Sequence, residues 1–250
     1  EYKIFDVKKA TYYYTLAANQ NHVIAQNNLG IIYSDGKYIN RDINKAIYYL
    51  KLAVNNNFSY AQYNLGFIYY DSELIDKDLN KAYQLFLAAA NQNLPNAQNM
   101  LGVVYLNPEF IKSDVNKAIQ YFTQAANQNL LDAQYNLGII FLEEKYIKRD
   151  IDKSIYYLNL VAKQNYWYAN FLLAMIYYEG IYVPRDINKA IQYFSHESNK
   201  YIPESQNNLG VIYYEGKNIN KAIQYFTIAS DLNCSGAQNH LGIIYYDGKY

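Results

Sequence analysis

Hydrophobic and polar positions recur along this 250-residue chain with a spacing of 36 residues, shortened once to 32. One block, here called element A, reads Ala-Gln-Asn-Asn-Leu-Gly at residues 25–30 and returns from residues 61, 97, 133, 169, 205 and 237. A second block, element B, reads Asp-Ile-Asn-Lys-Ala-Ile at residues 42–47 and returns from residues 78, 114, 150, 186 and 218. A period between about 20 and 50 residues is typical of solenoids and other repeat architectures.

Both elements have the spacing of helices rather than strands. In element A, Ala61, Leu65, Ile68 and Tyr69 fall at i, i+4, i+7 and i+8, which places them on one helical face. Pro95 and Pro203 suit the first turn of helix A. Aspartates suit the N-cap of helix B, and asparagines, which tolerate the left-handed cap conformation, suit its end. These are Asp42, Asp78, Asp114, Asp150 and Asp186, and Asn21, Asn57, Asn93, Asn129, Asn165 and Asn233.

The pattern predicts an all-α fold, an α/α solenoid of about six and a half helix-turn-helix repeats of 36 residues. We interpret residues 1–250 as one such domain and as a piece of a longer array. It consists of a helix B at 6–20, repeats starting near 22, 58, 94, 130, 166 and 202, and a lone helix A at 234–247.

Glycine recurs inside helix A at Gly30, Gly66, Gly102, Gly138, Gly210 and Gly242. Each costs about 1 kcal/mol relative to alanine in a helix, so a repeated benefit has to offset it. We expect close approach by the neighbouring helix B, with Ala46 and its equivalents as the matching small surface.

These residues carry a family resemblance. The pattern Ala-Gln-x-x-Leu-Gly-x-x-Tyr, a loop with Gly36, Gly180, Gly216 or Gly248, and then Asp-x-x-Lys-Ala resembles the Sel-one-like repeat (SLR) family, relatives of tetratricopeptide repeats. The resemblance implies a right-handed superhelix with helices A on the concave face, and adaptor work in signalling, protein quality control or host-microbe contact.

Composition limits the possible partners. Lysine plus arginine and aspartate plus glutamate each total 22, which gives no basic excess for nucleic acid. No apolar run has the length that membrane insertion requires. The single cysteine, Cys234, fits a reducing compartment, so we expect a cytoplasmic protein.

The sequence offers little for catalysis. Nucleotide-binding glycine motifs are missing, and His196-Glu197 has Lys200 where a zinc-binding helix would need a second histidine. We predict no cofactor, no metal and no enzyme activity. Glu197 occupies a position that alanine or valine fills in other repeats, which indicates a locally irregular helix B.

The candidate binding site lies on helices A. By resemblance to tetratricopeptide geometry, the groove-facing positions include one row with Tyr63, Tyr135 and Phe171 and another with Tyr70, Tyr178, Tyr214 and Tyr246. Tyrosine suits binding surfaces because it combines a large area with a polar tip. Packing between adjacent helices A explains the same residues equally well.

An acidic row follows one position later. It comprises Asp35, Asp71, Glu143, Glu179, Glu215 and Asp247. Acids at a helix C-terminus oppose the helix dipole, so a compensating charge is expected. Either a loop lysine or arginine supplies it, or the acids form a rim that binds a basic peptide.

We therefore predict a non-catalytic scaffold or adaptor that binds a peptide or helical segment of another protein on its concave face. Two alternatives stay open. One is a structural array that associates end to end with itself, and the other is a regulatory array tethered to an enzyme, such as a protein kinase, outside these residues.

Overall fold

The structure is a computed structural model that describes residues 6–37, 39–71, 73, 75–109 and 112–248. Within these ranges the regular structure is helical and no strand occurs. The chain divides into two compact units, Glu1–Ala133 and Gln134–Tyr250, and each is described by itself.

Fourteen α-helices alternate between the two elements in the described part of the chain, with even numbers for helices A and odd numbers for helices B. They are α1 Val7–Ala18, α2 Val23–Asp35, α3 Ile43–Asn55, α4 Ser59–Asp71, α5 Leu79–Asn91, α6 Pro95–Leu106, α7 Val115–Ala126, α8 Leu131–Leu142, α9 Ile151–Ala162, α10 Trp167–Glu179, α11 Ile187–Phe194, α12 Pro203–Glu215, α13 Ile219–Asp231 and α14 Ser235–Asp247.

The predicted caps are confirmed. The side chain of Asp42 accepts a hydrogen bond from the Lys45 amide at 3.0 Å, and the other predicted aspartates cap their helices in the same way. Past the ends of helices B, the predicted asparagines have φ between 56° and 63°. This left-handed backbone is the conformation in which asparagine replaces glycine at modest cost.

The glycines of helix A let a large side chain of helix B come close. A Cβ on Gly102 would stand 2.5 Å from the Phe122 ring, and one on Gly66 would stand 2.9 Å from Phe86. Such distances are too short for a methyl group. The prediction of close approach is therefore confirmed at Gly30, Gly66, Gly102, Gly138 and Gly210, whereas a Cβ on Gly242 would meet no atom within 4 Å. The atoms nearest these five glycines belong to a buried leucine or phenylalanine four residues after Ala46 or its equivalent.

A ladder of side-chain amide hydrogen bonds joins neighbouring repeats in the first unit. Asn93 Oδ1 accepts from Gln98 Nε2 at 2.9 Å and from Gln128 Nε2 at 3.1 Å, and Gln128 Nε2 also donates to Gln98 Oε1 at 2.8 Å. Asn57, Gln62 and Gln92 repeat this triad with distances of 2.9, 3.1 and 2.8 Å. Each triad links the end of one helix B, the next helix A and the following helix B.

The ladder fails at one position for a reason visible in the sequence. Gln26 is equivalent to Gln62, yet its Oε1 is buried without a hydrogen-bond partner. The residue that should donate to it is Asn56, whose side chain is one methylene shorter than that of Gln92 and bonds to the Leu52 carbonyl instead. An unsatisfied buried acceptor costs about 1–3 kcal/mol.

The irregular helix B is confirmed as well. Helix α11 ends at Phe194, and a short 3₁₀ turn at Glu197–Asn199 follows it. Glu197 is exposed to solvent, whereas the buried Asn199 donates from Nδ2 to the Tyr193 carbonyl at 3.1 Å. The chain thus accommodates a carboxylate at this position by leaving the helix before reaching it.

Exchanges between asparagine and glutamine at two equivalent positions of the ladder should change the free energy of unfolding in opposite directions. Asn56→Gln should raise the free energy of unfolding by about 1 kcal/mol, because the longer side chain reaches Gln26 Oε1. Gln92→Asn should lower it by a similar amount, because Gln62 Oε1 loses its donor. Urea denaturation followed by circular dichroism measures both, and a change of the same sign in the two variants would contradict the ladder.

Candidate protein-interaction surface

Many of the tyrosines have a structural role that the sequence did not reveal. The amide of Asp114 donates to the carbonyl of Tyr105 at 3.0 Å, and the ring of Tyr105 is stacked on Tyr121 with an interplanar angle of 9°. Lys117 Nζ lies 5.2 Å from the centre of the Tyr105 ring and 3.9 Å from the Asp114 carboxylate. We call this arrangement of aspartate, lysine and two rings the clasp.

The clasp recurs through both units. Five clasps have ring pairs stacked at interplanar angles of at most 9°: Tyr33 with Tyr49, Tyr105 with Tyr121, Phe141 with Tyr157, Tyr177 with Tyr193 and Tyr213 with Tyr225. In the last of these, Asn218 stands in place of the aspartate. Hydrogen bonds from Lys81 lower the pKa of the Asp78 carboxyl below its usual value, and backbone hydrogen bonding from Lys45 does the same for Asp42. The Asp78 and Asp42 carboxylates are therefore ionised at neutral pH.

In the first unit the predicted residues Tyr63 and Tyr70 belong to an aromatic surface on α4. The centre of the Phe67 ring lies 6.4 Å from that of Tyr63 and 6.1 Å from that of Tyr70. Behind them, the fully buried Phe86 lies within 6.3 Å of both tyrosine rings. Phe67 is 43% exposed. We call Tyr63, Phe67 and Tyr70 the α4 aromatic strip; Phe67 was missed in the sequence, although it lies four residues after Tyr63.

In the second unit Tyr135 and Phe171 are both packed around Tyr168. The rings of Tyr168 and Phe171 are stacked with centres 6.1 Å apart, and the Tyr135 ring lies 6.3 Å from Tyr168. Burial, with smaller contributions from neighbouring phenols and Glu143, raises the pKa of Tyr135 to about 12. These two residues are partly buried packing elements.

Tyr178 is held by a charged pair at the other end of the same helix. Its hydroxyl donates to Glu215 Oε1 at 2.9 Å, and Arg185 Nη2 donates to Glu215 Oε2 at 2.9 Å. Arg185 Nε also donates to the Tyr178 carbonyl at 2.9 Å, which compensates the C-terminal end of α10. Tyr214, in the last turn of α12, is 41% exposed.

The acidic row is divided between paired and exposed carboxylates. Asp71 forms an ion pair with Lys77 at 3.4 Å, and Glu215 forms one with Arg185. Both match the expectation of a compensating loop cation. Glu143 and Glu179 are exposed, and no ion pair of theirs occurs among the described residues. Binding of a basic peptide by this row stays a prediction.

Two further features bear on the type of site. Among the described residues, no cluster of three or more histidine, cysteine or acidic side chains is arranged to hold a metal ion. No helix of the described chain has the length and apolar character needed to cross a membrane.

The alternating helices, the glycine contacts and the clasps define a class: an α/α solenoid of helical-hairpin repeats. The Sel1 repeat model matches residues 3–22, 23–58, 59–94, 95–130, 131–166, 167–195, 203–234 and 235–250. The chain belongs to the Sel1 repeat family, as its sequence pattern indicated. Proteins of this family are in general scaffolds for protein interactions.

Solved structures agree with this assignment. A protective antigen of uropathogenic Escherichia coli with an SLR fold is 25% identical, with a TM-score of 0.86 over 95% of this chain and 52% of its own. A Sel1 repeat protein from Oxalobacter formigenes is 26% identical, with a TM-score of 0.76 over 93% of this chain and 69% of its own. The chain thus spans about half the length of the first relative. No curated protein matches the sequence.

The paired and exposed acids should respond differently to charge reversal. Glu215→Lys removes the ion pair with Arg185 and the hydrogen bond from Tyr178, so the free energy of unfolding should fall by about 1 kcal/mol. Glu179→Lys should change it by less than about 0.5 kcal/mol. Urea denaturation of the two variants tests this, and an equal loss in both would show that Glu179 also has a stabilising partner.

Proposed function

We propose that this chain is a non-catalytic scaffold that binds a peptide or helical segment of a partner protein on the exposed face of its helices A. The observation that supports the proposal most directly is the α4 aromatic strip. Its three rings lie at i, i+4 and i+7 on one face of a helix, and its central ring is 43% exposed. Exposed neighbouring aromatic side chains mark interaction sites more often than isolated ones do.

The strip is held in place before any partner binds. Phe86 lies directly behind Tyr63 and Tyr70, and Phe86 itself fills the space over Gly66. A ring backed by a close-packed core loses little conformational entropy on binding, so most of its contact area contributes to affinity. The same glycine contact that joins helices A and B therefore also positions the strip.

Acidic residues lie next to the aromatic residues on helices A. Asp71 follows Tyr70 directly in α4, and in the second unit Tyr214 is followed by Glu215 and Tyr178 by Glu179. Phe171, Tyr135 and Glu143 complete the proposed contact residues of that unit; Glu143 is exposed, whereas Phe171 and Tyr135 are partly buried and offer a smaller area. A partner segment with apolar side chains and a few basic residues would complement this combination.

Selection from a random dodecapeptide library displayed on phage would supply test ligands for the chain. Phe67→Ser should raise the Kd of the selected peptides at least tenfold, because it removes the central ring of the strip while Phe86 keeps the core intact. Tyr48→Ser is the control, since Tyr48 is 58% exposed on helix B of another repeat and lies outside the strip. Fluorescence anisotropy with the labelled peptides measures the Kd.

Two results would contradict the α4 aromatic strip as a specific binding surface. Selected peptides that bind the Phe67→Ser and Tyr70→Ser variants as tightly as the unmodified chain, with unchanged circular dichroism, would exclude the strip as the binding surface. Equal losses in the Phe67 and Tyr48 variants would indicate a nonspecific apolar contact. The alternatives of a self-associating array and of a regulatory array tethered to an enzyme stay predictions.

A further inference from the structure

One clasp in the first unit lacks its second ring. In five clasps of the described chain, a ring of helix A is stacked on a ring of helix B, with centres 5.4 to 6.0 Å apart. At the equivalent position of α5 the chain has Leu85 instead of tyrosine. Tyr69 keeps its lysine, since Lys81 Nζ lies 5.3 Å from the ring centre, but Leu85 offers it no ring to stack on.

A groove of about 550 Å³ lies at this position. The Tyr69 ring lines it together with the apolar side chains of Val54, Leu65 and Leu85. These side chains are partly or fully buried, so the floor is already fixed by packing. The groove therefore combines an aromatic wall with an apolar floor, at the place where a ring stands in the other repeats.

The charges around the groove have one sign. Lys51 and Lys81 both line it, and no acidic residue does. Lys81 is bound to the Asp78 carboxylate at 2.6 Å, whereas Lys51 is exposed and forms none of the ion pairs in the described chain. Lys51 also lines an adjoining groove, together with the acids Asp76, Asp78 and Glu109. A ligand here would thus meet Lys51, a cation outside the ion pairs of the described residues, beside an apolar slot.

We propose that this groove binds an aromatic side chain of a partner peptide, stacked against Tyr69 in the place of the missing ring, with an acidic residue of the peptide next to Lys51. The chain itself supplies the template, because five of its own clasps hold a ring in this arrangement. Stacked aromatic pairs stabilise a complex beyond the effect of the area that they bury. The charge of Lys51 selects an acidic neighbour rather than a basic one.

This site is separate from the α4 aromatic strip. Leu65 and Tyr69 are each two residues from Phe67 on the same helix, and side chains two apart on a helix do not share a face. The two surfaces can therefore be tested independently. One site can fail without affecting the other.

The test uses the peptides acetyl-Glu-Trp-Glu-amide, acetyl-Glu-Leu-Glu-amide and acetyl-Lys-Trp-Lys-amide at millimolar concentration. Methyl NMR spectra of the chain labelled at leucine and valine report the site, because a ring stacked on Tyr69 shifts the methyl signals of Val54 and Leu65. We expect the acidic tryptophan peptide to cause these shifts. We expect the leucine and lysine peptides to bind at least fivefold more weakly.

Two variants identify the groove. Leu85→Tyr should abolish the shifts, because it restores the internal stack, and the variant should unfold at the same temperature or a higher one. Lys51→Glu should weaken binding of the acidic tryptophan peptide at least fivefold without changing the unfolding temperature. Phe67→Ser should have no effect on this peptide, which separates the groove from the strip.

The contrary outcomes are equally definite. If the acidic tryptophan peptide shifts neither methyl signal in the unmodified chain, or binds the Leu85→Tyr variant as well as the unmodified chain, the proposal is wrong. Equal binding of the acidic and basic tryptophan peptides, or of the tryptophan and leucine peptides, would also overturn it.

Discussion

The stacking of one repeat on the next depends on asparagines held in the left-handed conformation past the ends of helices B. With φ near 60°, Asn57 and Asn93 turn the chain from one helix B into the next helix A. In the same conformation their side-chain oxygens accept hydrogen bonds from glutamines of two further helices. Glycine would satisfy the backbone but could not make these bonds. Each of these asparagines therefore has two roles: it sets the direction of the chain after helix B, and it joins neighbouring repeats by hydrogen bonds.

Within a repeat, the contact between glycine and a large side chain sets the distance between helices A and B, and the clasp fixes the loop that joins them. Phe86 shows how these elements serve the surface, because it fills the space over Gly66 and supports Tyr63 and Tyr70 from behind. One clasp of this framework differs from the others at a single position. Residue 85 is leucine where the five other clasps have a tyrosine, and Leu85 and Tyr69 line a groove there.

Much of the fold could be predicted from the sequence, because period, caps and turn residues are local signals that recur in each repeat. The aspartate caps, the left-handed asparagines and the irregular helix at Glu197 are examples. The leucine or phenylalanine that lies nearest to five of the helix A glycines was not predicted, because spacing along a helix does not reveal which side chain crosses to its neighbour. The candidate site was less predictable, because the sequence does not distinguish a tyrosine of the proposed binding surface from a tyrosine of a clasp. Only contacts separate the exposed Phe67 from the packed Tyr135, or Glu179 from the paired Glu215.

Substitution of Asn93 tests the central claim most directly, because glycine and alanine separate its two roles. Asn93→Gly keeps the left-handed backbone and removes the acceptor for Gln98 and Gln128, so the free energy of unfolding should fall by about 1 kcal/mol. Asn93→Ala loses the acceptor and also strains the backbone, which should cost about 1–2 kcal/mol more. Urea denaturation of both variants gives these values. A glycine variant as stable as the unmodified chain, or an alanine variant no less stable than the glycine variant, would contradict the account.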